Sequence, residues 1–233
     1  MEQKAKFFRN IVANLVLIAV LSVTIVFVSG LPSPNVATVE PIRGGNCEQS
    51  VSIAITLDRD SASVDDILSV LQSSEIQATF FVSGAWAIEN ADALRAIYNQ
   101  GHELGNYGFF NVAHRGLPPS RIVDEIELTH KLVQQKTGMQ MSIFLPPQAS
   151  YSEATIEIAR ALGYTTVSPP NRVNFTPDLS SQQLITKSTQ NLTGGAFIIL
   201  PATPAASAAL NQIVSQIINQ NFNIVPIKTV IGD

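Results

Sequence analysis

From residue 51 onward, short apolar runs alternate with stretches that have the spacing of amphipathic helices. Seven runs have the length of a strand, at 51–58, 77–84, 102–108, 142–147, 164–169, 196–202 and 223–227. Between the last two of them, Leu210, Ile213 and Ile217 recur at helical spacing. Strands that alternate with helices form parallel sheets, and seven such units favour closure. The pattern therefore predicts an α/β fold, a distorted (β/α) barrel of about seven parallel strands.

The first fifty residues follow a different pattern. Lys4, Lys6 and Arg9 precede an apolar run at 11–28. As a helix this run would span about 27 Å, close to the hydrocarbon thickness of a bilayer. We expect a single-pass protein of the cell membrane, because cationic residues ahead of the span keep the N-terminus in the cytoplasm. The alternative is a cleaved signal peptide, which would leave the domain secreted.

This pattern divides the chain into four regions. They are a cytoplasmic tail at 1–10, a transmembrane signal-anchor at 11–28, a linker rich in Pro, Gly and Ser at 29–50, and a folded extracytoplasmic domain at 51–233.

Composition narrows the class of protein. Apolar residues make up 45% of the chain and charged residues 14%, which allows a substantial core. Cys47 is the single cysteine, so neither an internal disulfide nor a zinc site of several thiolates can form. The net charge is −4 and the basic residues do not cluster beyond the first ten, so nucleic acid is not expected as a partner.

Function in parallel α/β folds gathers where strands end and loops begin. Polar or unusual residues occupy several of these positions: Asp58, Arg59, Asp60, Tyr107, Asn111, Leu145, Gln148 and Pro201.

Five segments carry a resemblance to a known family. They are ITLDRD (55–60), ATFFVSGAWA (78–87), GHELGNYGFF (101–110), FLPPQASYSEATIEIARALGYTTV (144–167) and GGAFIILP (194–201). In order and spacing they resemble the polysaccharide deacetylase (NodB homology, carbohydrate esterase 4-like) family. The resemblance extends from about residue 51 to residue 227, and the run GNYGFF is similar to a sporulation-associated, membrane-anchored branch. It implies a NodB-like barrel that acts on N-acetylated glycans such as chitin or peptidoglycan, and a divalent metal such as zinc.

The resemblance also implies a role for each site position. Asp58 falls on the catalytic base, but Arg59 replaces a metal-binding aspartate, and Tyr107 and Asn111 replace two metal-binding histidines. Leu145 and Pro201 stand where the family has an arginine and a late histidine, and the family's Asp-Trp pair falls near 174–175. Since Asp58 alone is kept, we expect no metal cofactor and a catalytically inactive member.

Three hypotheses for function follow. The first is an inactive domain that binds or organises cell-wall glycan, or binds wall-associated proteins, through a mouth lined by Tyr107, Asn111, Gln148 and Tyr151. The second is a divergent polysaccharide or peptidoglycan N-deacetylase, with Asp58 as base and a rearranged metal site. The candidate ligands of that site are Asp58, Asp60 and His114. The third is an interaction protein without affinity for glycan.

The aromatic residues near the mouth have two possible roles. Trp86, Phe109 and Phe110 join Tyr107 and Tyr151 as possible sugar-stacking side chains. Phe109 and Phe110 cannot both point inward from one strand, so we expect at least one of them to pack in the core.

Overall fold

The structure, a computed structural model, describes residues 40–59, 61–168 and 179–232. Its strands are β1 (Ser50–Leu57), β2 (Thr79–Val82), β3 (Glu103–Asn106), β4 (Ile143–Phe144), β5 (Thr165–Thr166), β6 (Phe197–Pro201) and β7 (Asn223–Ile224). Its helices are α1 (Val64–Ser73), α2 (Gly84–Glu89), α3 (Ala91–Asn99), α4 (Pro119–Thr137), α5 (Glu153–Ala161), α6 (Ser181–Thr189), α7 (Pro204–Asn219) and α8 (Ile227–Ile231). Each of the seven apolar runs contains one of these strands, as predicted.

The strands form one parallel sheet in the order β5-β4-β3-β2-β1-β6, with β7 paired to the first residues of β1. Leu57 lies level with Val82, which lies level with Asn106, so the ends of β1, β2 and β3 meet at one edge. The parallel α/β prediction is confirmed. The predicted barrel is a curled half-barrel in the structure. Within the described residues, β5 and β6 lie at the two opposite edges of the sheet.

Both faces of the sheet are buried, which explains why β1 reads as a nearly continuous apolar run. The odd-numbered residues from Val51 to Leu57 pack against the helices. On the opposite, concave face, Ala54 packs with Phe81, Ile143 and Ile199 in a second apolar cluster. Within the described residues, apolar side chains therefore fill the interior of the half-barrel.

Residues 40–49, which the sequence assigns to the linker, contact the sheet. Ile42 forms a parallel bridge to Val167 beside β5, and the Gly45 amide donates to the Gly195 carbonyl at 2.8 Å. A Cβ on Gly195 would lie 2.0 Å from the Gly45 oxygen, and Gly195 has φ +80°, so this crossing requires glycine. Main-chain hydrogen bonds thus extend the packed domain back to Ile42.

The predicted tail at 1–10 and the predicted transmembrane span at 11–28 lie outside the described residues. In the part of the chain that the structure describes, no helix is long and apolar enough to cross a membrane.

Candidate functional site

Asp58 lies at the end of β1 and is held in place by two side chains. Its Oδ2 accepts a hydrogen bond from Nδ2 of Asn111 at 3.0 Å, and its Oδ1 accepts from the Ser61 hydroxyl at 3.2 Å. The Asp58 amide donates in turn to the Ser61 oxygen at 2.8 Å. The structure therefore brings together Asp58 and Asn111, two residues that the sequence proposed for the same mouth.

Asn111 belongs to a loop that is fixed from several sides. Asn111 has a left-handed backbone, with φ 54°, which asparagine tolerates better than most residues. Nε2 of Gln148 donates to its carbonyl oxygen at 2.9 Å. Gln148 is otherwise exposed, so its place in the structure is to hold this loop. Oδ1 of Asn111 is buried without a hydrogen-bond partner, which leaves one acceptor unused.

Tyr107 does not line an open mouth, contrary to the sequence-based prediction. It is 3% exposed and packs in the concave apolar cluster with Leu145, which is 1% exposed. Burial raises the pKa of Tyr107, and the negative charge of Asp58 raises it further, against a smaller opposing effect of a backbone hydrogen bond from Gln148. Tyr107 is therefore a protonated phenol that fills the barrel interior together with Leu145.

An open cleft of 250 Å³ remains beside Asp58. Its wall consists of Asp58, Arg59, Ser83, Ala85, Phe110 and Asn111. Tyr151 is half-buried and lies outside this wall, so of the four predicted glycan contacts Asn111 is the one that lines the cleft. Arg59 is exposed, while Pro201 is half-buried at the end of β6, level with Thr56.

Phe110 is a cleft residue that the sequence could not single out. Its neighbour Phe109 packs against Gly84, where a Cβ would come within 2.2 Å of the Phe109 ring. Phe110 is 48% exposed as a result, and its ring meets that of Phe109 edge to face at 4.7 Å. Phe109 is thus the more buried of the two rings, but it is half-buried and does not belong to either apolar core cluster.

Glu125 holds the loop that carries Phe109 and Phe110, and the sequence analysis did not single it out. It is fully buried on α4, and its Oε2 accepts from the amides of Phe109 and Phe110 at 2.7 and 2.8 Å. Its Oε1 accepts from the Arg121 guanidinium at 2.9 Å, and that guanidinium lies 5.5 Å from the centre of the Phe110 ring. The sequence feature that could have identified Glu125 is its position as a carboxylate on the apolar helix face that carries Ile122 and Ile126.

His114, proposed as a metal ligand, lies in the interior. It is fully buried, both ring nitrogens lack a hydrogen-bond partner, and its ring packs 5.5 Å from that of Phe144. Burial lowers the pKa of His114 to about 4. Asp60 lies outside the described residues, and among those described no three His, Cys, Asp or Glu side chains are arranged to hold a metal ion.

Comparison with known proteins identifies the scaffold. The family model for polysaccharide deacetylase matches residues 45–167, more than half of the chain. The chain belongs to the polysaccharide deacetylase family. The stretch that the model matches contains Asp58, Tyr107 and Asn111, so this assignment covers the cleft.

Curated relatives include bacterial deacetylases of this family. The uncharacterized protein YlxY of Bacillus subtilis is 26% identical over 188 residues, which cover 78% of this chain and 58% of that protein. The peptidoglycan-N-acetylmuramic acid deacetylase PdaA of Bacillus subtilis is 26% identical over 125 residues, 53% of this chain and 48% of that protein. The chain thus spans about half the length of these curated relatives.

Solved structures share the polysaccharide deacetylase fold. BA3943 of Bacillus anthracis, described as a carbohydrate esterase family 4 (CE4) pseudoenzyme, has a TM-score of 0.77 and 20% identity over 86% of this chain and 72% of that one. Bacillus subtilis PdaA, described as a family 4 carbohydrate esterase, has a TM-score of 0.75 and 21% identity over 82% of this chain and 85% of that one. At these identities the likeness establishes the fold alone.

The residues at the family's metal-binding positions do not fit a divalent metal. Arg59 has no lone pair to offer and carries a positive charge. Tyr107 is buried and protonated, and Asn111 presents a neutral amide whose nitrogen is committed to Asp58. Metal sites of this kind need ionised carboxylates or neutral imidazoles. The predicted Asp-Trp equivalent near 174–175 lies outside the described residues.

Proposed function

We propose that this polysaccharide deacetylase domain binds N-acetylated cell-wall glycan without hydrolysing it. The observation that supports the proposal is the contrast within one site. The metal-ligand positions hold Arg59, Tyr107 and Asn111, yet the cleft beside Asp58 stays open and its loop is held by Glu125 and Gln148. A site that binds nothing would not require an open cleft or a loop held by these hydrogen bonds.

Among the described residues, the family's metal-ligand positions do not fit a metal ion, which argues against metal-assisted catalysis. In metal-assisted amide hydrolysis the ion polarises the carbonyl and generates the nucleophile, and these effects supply most of the rate enhancement. Asp58 is a carboxylate at the base position, but nothing at the described ligand positions can hold the ion that would activate water for it. Binding of a glycan without hydrolysis is a function that these residues could perform without a metal ion.

The cleft offers three contacts that suit a sugar. The exposed ring of Phe110 presents an apolar face on which a pyranose can stack. Oδ1 of Asn111 is an unused acceptor that suits the N–H of an acetamido group. Arg59 is a donor that suits a carbonyl or carboxylate oxygen of the same glycan. Together these groups recognise an N-acetylated sugar through its acetamido side and one ring face.

The proposal also includes the protein's place in the cell. The apolar span at 11–28 would hold the domain at the outer surface of the cell membrane, where it meets peptidoglycan and wall-associated proteins. Among the relatives, PdaA is named for deacetylation of peptidoglycan, which makes peptidoglycan the first glycan to test.

Binding of the full chain to purified peptidoglycan and to soluble N-acetylglucosamine oligomers tests the proposal. We expect saturable binding that Phe110→Ala and Asn111→Ala each weaken by about tenfold, which corresponds to about 1.4 kcal/mol. The matched control is Tyr98→Ala, because Tyr98 is an exposed aromatic residue of α3 outside the cleft wall. Binding that is absent, or equally strong in all three variants, would refute the proposal.

The divergent deacetylase remains the alternative, since Asp58 persists at the base position and is firmly held. The same preparation is assayed for release of acetate from both glycans. Release that disappears in Asp58→Asn would establish the alternative in place of the binding function.

A further inference from the structure

A second cavity lies at the opposite end of the sheet from the Asp58 cleft. Its volume is 160 Å³, and it lies where the chain leads into β6, next to the end of α6. The residues that line it are Arg43, Gly44, Gly45, Lys187, Ser188, Gln190, Asn191, Leu192, Thr193, Gly194, Gly195, Ala196, Phe197 and Ile198. Because the cleft lies where β1 ends, the two sites are separate, and this inference does not depend on the proposed function.

The charge of this cavity is positive in an acidic protein. Arg43 and Lys187 are charged residues of its wall, and no carboxylate occurs among the described residues that line it, whereas the whole chain has a net charge of −4. Glu40 lies 3.6 Å from the Arg43 guanidinium, and both side chains are mostly exposed, at 70% and 56%. Exposed pairs of this kind are weak, so Glu40 does not prevent Arg43 from binding an anion.

Ser188 supplies a hydrogen-bond donor that the fold leaves unused. It is 3% exposed, and its hydroxyl oxygen has no hydrogen-bond partner. Serine and threonine inside helices commonly donate to the carbonyl four residues earlier. Thr186 and Thr189 of the same helix do so, to Gln182 at 3.0 Å and to Ile185 at 2.9 Å. The buried Ser188 hydroxyl therefore has a donor to offer to a ligand in the cavity.

The negative end of the α6 dipole does not cancel this positive charge. The Thr186 carbonyl accepts from the Gln190 amide at 3.0 Å, and the Thr189 carbonyl accepts from Nε2 of Gln220 at 3.1 Å. Lys187 in the last turn also opposes the partial negative charge that collects at a helix C-terminus.

Glycines in the cavity wall let main-chain segments pack closely beside it. A Cβ on Gly194 would lie 2.2 Å from the Glu48 carbonyl oxygen, and one on Gly45 would lie 2.1 Å from that of Val230. Gly45 and Gly194, which line the cavity, are therefore held by close main-chain packing behind its wall. A cavity of about 150 Å³ is known to hold benzene, so the volume suits a group of roughly six non-hydrogen atoms.

We propose that this cavity binds a small oxyanion, a carboxylate or phosphate group, through Arg43, Lys187 and the Ser188 hydroxyl. The carboxylate or phosphate oxygens accept a hydrogen bond from the Ser188 hydroxyl, and the two cations at the rim offset the negative charge of the ligand. A neutral molecule of the same shape gains only the hydroxyl contact.

Titration of the isotopically labelled full chain, followed by amide NMR at constant ionic strength, tests the inference. The probes are inorganic phosphate, acetate, and acetamide as the neutral counterpart of acetate. We expect saturable shifts in the amide signals of Gly44, Gly45, Gly194 and Gly195 with at least one anion and none with acetamide. Saturation by phosphate alone assigns a phosphate ligand, and saturation by acetate assigns a carboxylate.

Variants connect the response to the named residues. Lys187→Gln and Arg43→Gln are each expected to weaken binding at least fivefold. Ser188→Ala should weaken it without lowering the melting temperature, since it removes an unpaired hydroxyl from the interior. Lys131→Gln is the matched control, because Lys131 is a surface cation paired with Glu127. Lack of saturation with both anions, an equal response to acetamide, or unchanged affinity in Lys187→Gln and Arg43→Gln would overturn the inference.

Discussion

Nδ2 of Asn111 donates to Oδ2 of Asp58 at 3.0 Å and joins the loop after β3 to the end of β1. In the family these two positions belong to a metal-binding histidine and the catalytic base. Here a neutral amide and a carboxylate form the connection directly, and the pair needs no ion to hold the two segments together. The hydrogen bond thus holds together two segments that contribute to the wall of the cleft.

Asn111→Asp should destabilise the protein at pH 7, and the destabilisation should be smaller at pH 5. Two carboxylates at this separation repel each other, and protonation of one of them restores a hydrogen bond. Aspartate also tolerates the left-handed backbone of residue 111, so the change tests charge and not strain. We expect a loss of about 1–2 kcal/mol at pH 7, by comparison with other unpaired buried groups. Chemical denaturation at pH 7 and pH 5 measures it, and an equal loss at both would contradict the role of charge.

Glu125→Gln should cost more stability than removal of its ion-pair partner. The buried carboxylate accepts from two loop amides and from Arg121, and a neutral amide would form weaker hydrogen bonds and place its own N–H group among donors. Breaking one side of such a buried network costs roughly 3–5 kcal/mol. Arg121→Gln removes the cation beside the buried carboxylate but leaves the hydrogen bonds from both loop amides in place, so it should cost less than Glu125→Gln. Denaturant unfolding compares the two, and equal losses would show that the loop amides do not depend on Glu125.

The protein should lose stability as the pH falls from about 6.5 to about 4. Burial lowers the pKa of His102 and of His114 to about 4, so in this window the unfolded chain binds protons that the folded chain refuses. One pKa unit corresponds to about 1.4 kcal/mol, and the loss for each histidine is of the order of 3 kcal/mol. Glu103 partly opposes this trend, because burial raises its pKa against the smaller effect of its hydrogen bond from Thr79.

His114→Phe checks the source of this acid sensitivity. Phenylalanine retains a ring against Phe144 but cannot take up a proton. Melting temperatures measured across the window should fall less steeply in the variant than in the wild-type chain. An unchanged slope would assign the sensitivity to other groups.

Restoring the metal ligands should restore metal binding. The combined variant Arg59→Asp, Tyr107→His and Asn111→His supplies one carboxylate and two imidazoles, a ligand set that suits zinc. We expect about one zinc ion per chain after desalting in the variant and none in the wild type.

Two results would contradict this expectation. One is a variant that folds by circular dichroism but retains no more zinc than the wild type. The other is a wild-type chain that retains zinc and loses it on Asp58→Ala, which would mean that a rearranged site exists. Arg59→Asp with Asn111→His, which keeps the buried Tyr107, is a milder variant in case the triple change disturbs the interior.

Much of the fold could be predicted from sequence because its strands are apolar and its helices periodic. Gly138, for example, ends α4 with φ 77°, a left-handed conformation that favours glycine at the end of a helix. The half-barrel could not be predicted, since strand periodicity does not say whether the two edge strands meet. Ile42 was placed in the linker because its neighbours are Pro and Gly, and its pairing with Val167 depends on a contact between distant residues.

The sequence predicted which positions form the site, but it did not predict which of their side chains are exposed. Motif spacing placed Asp58 and Asn111 together correctly, because parallel strand ends meet at one edge. It could not tell that Tyr107 would lie in the interior, since that depends on Leu145, the residue after β4, which packs in the same apolar cluster. Nor could it choose Phe110 over Phe109, because the missing side chain of Gly84 decides which ring turns inward.

The bridge between Ile42 and Val167 has a mechanical consequence. The Ile42 amide donates to the Thr166 carbonyl, and the Ser168 amide donates to the Ile42 carbonyl, both at 2.8 Å. Gly45 then bonds to Gly195 at the other edge before the chain enters β1. A pull applied to the chain ahead of Glu40 is therefore borne first by these hydrogen bonds. These hydrogen bonds would have to break before such a load reached β1 and Asp58.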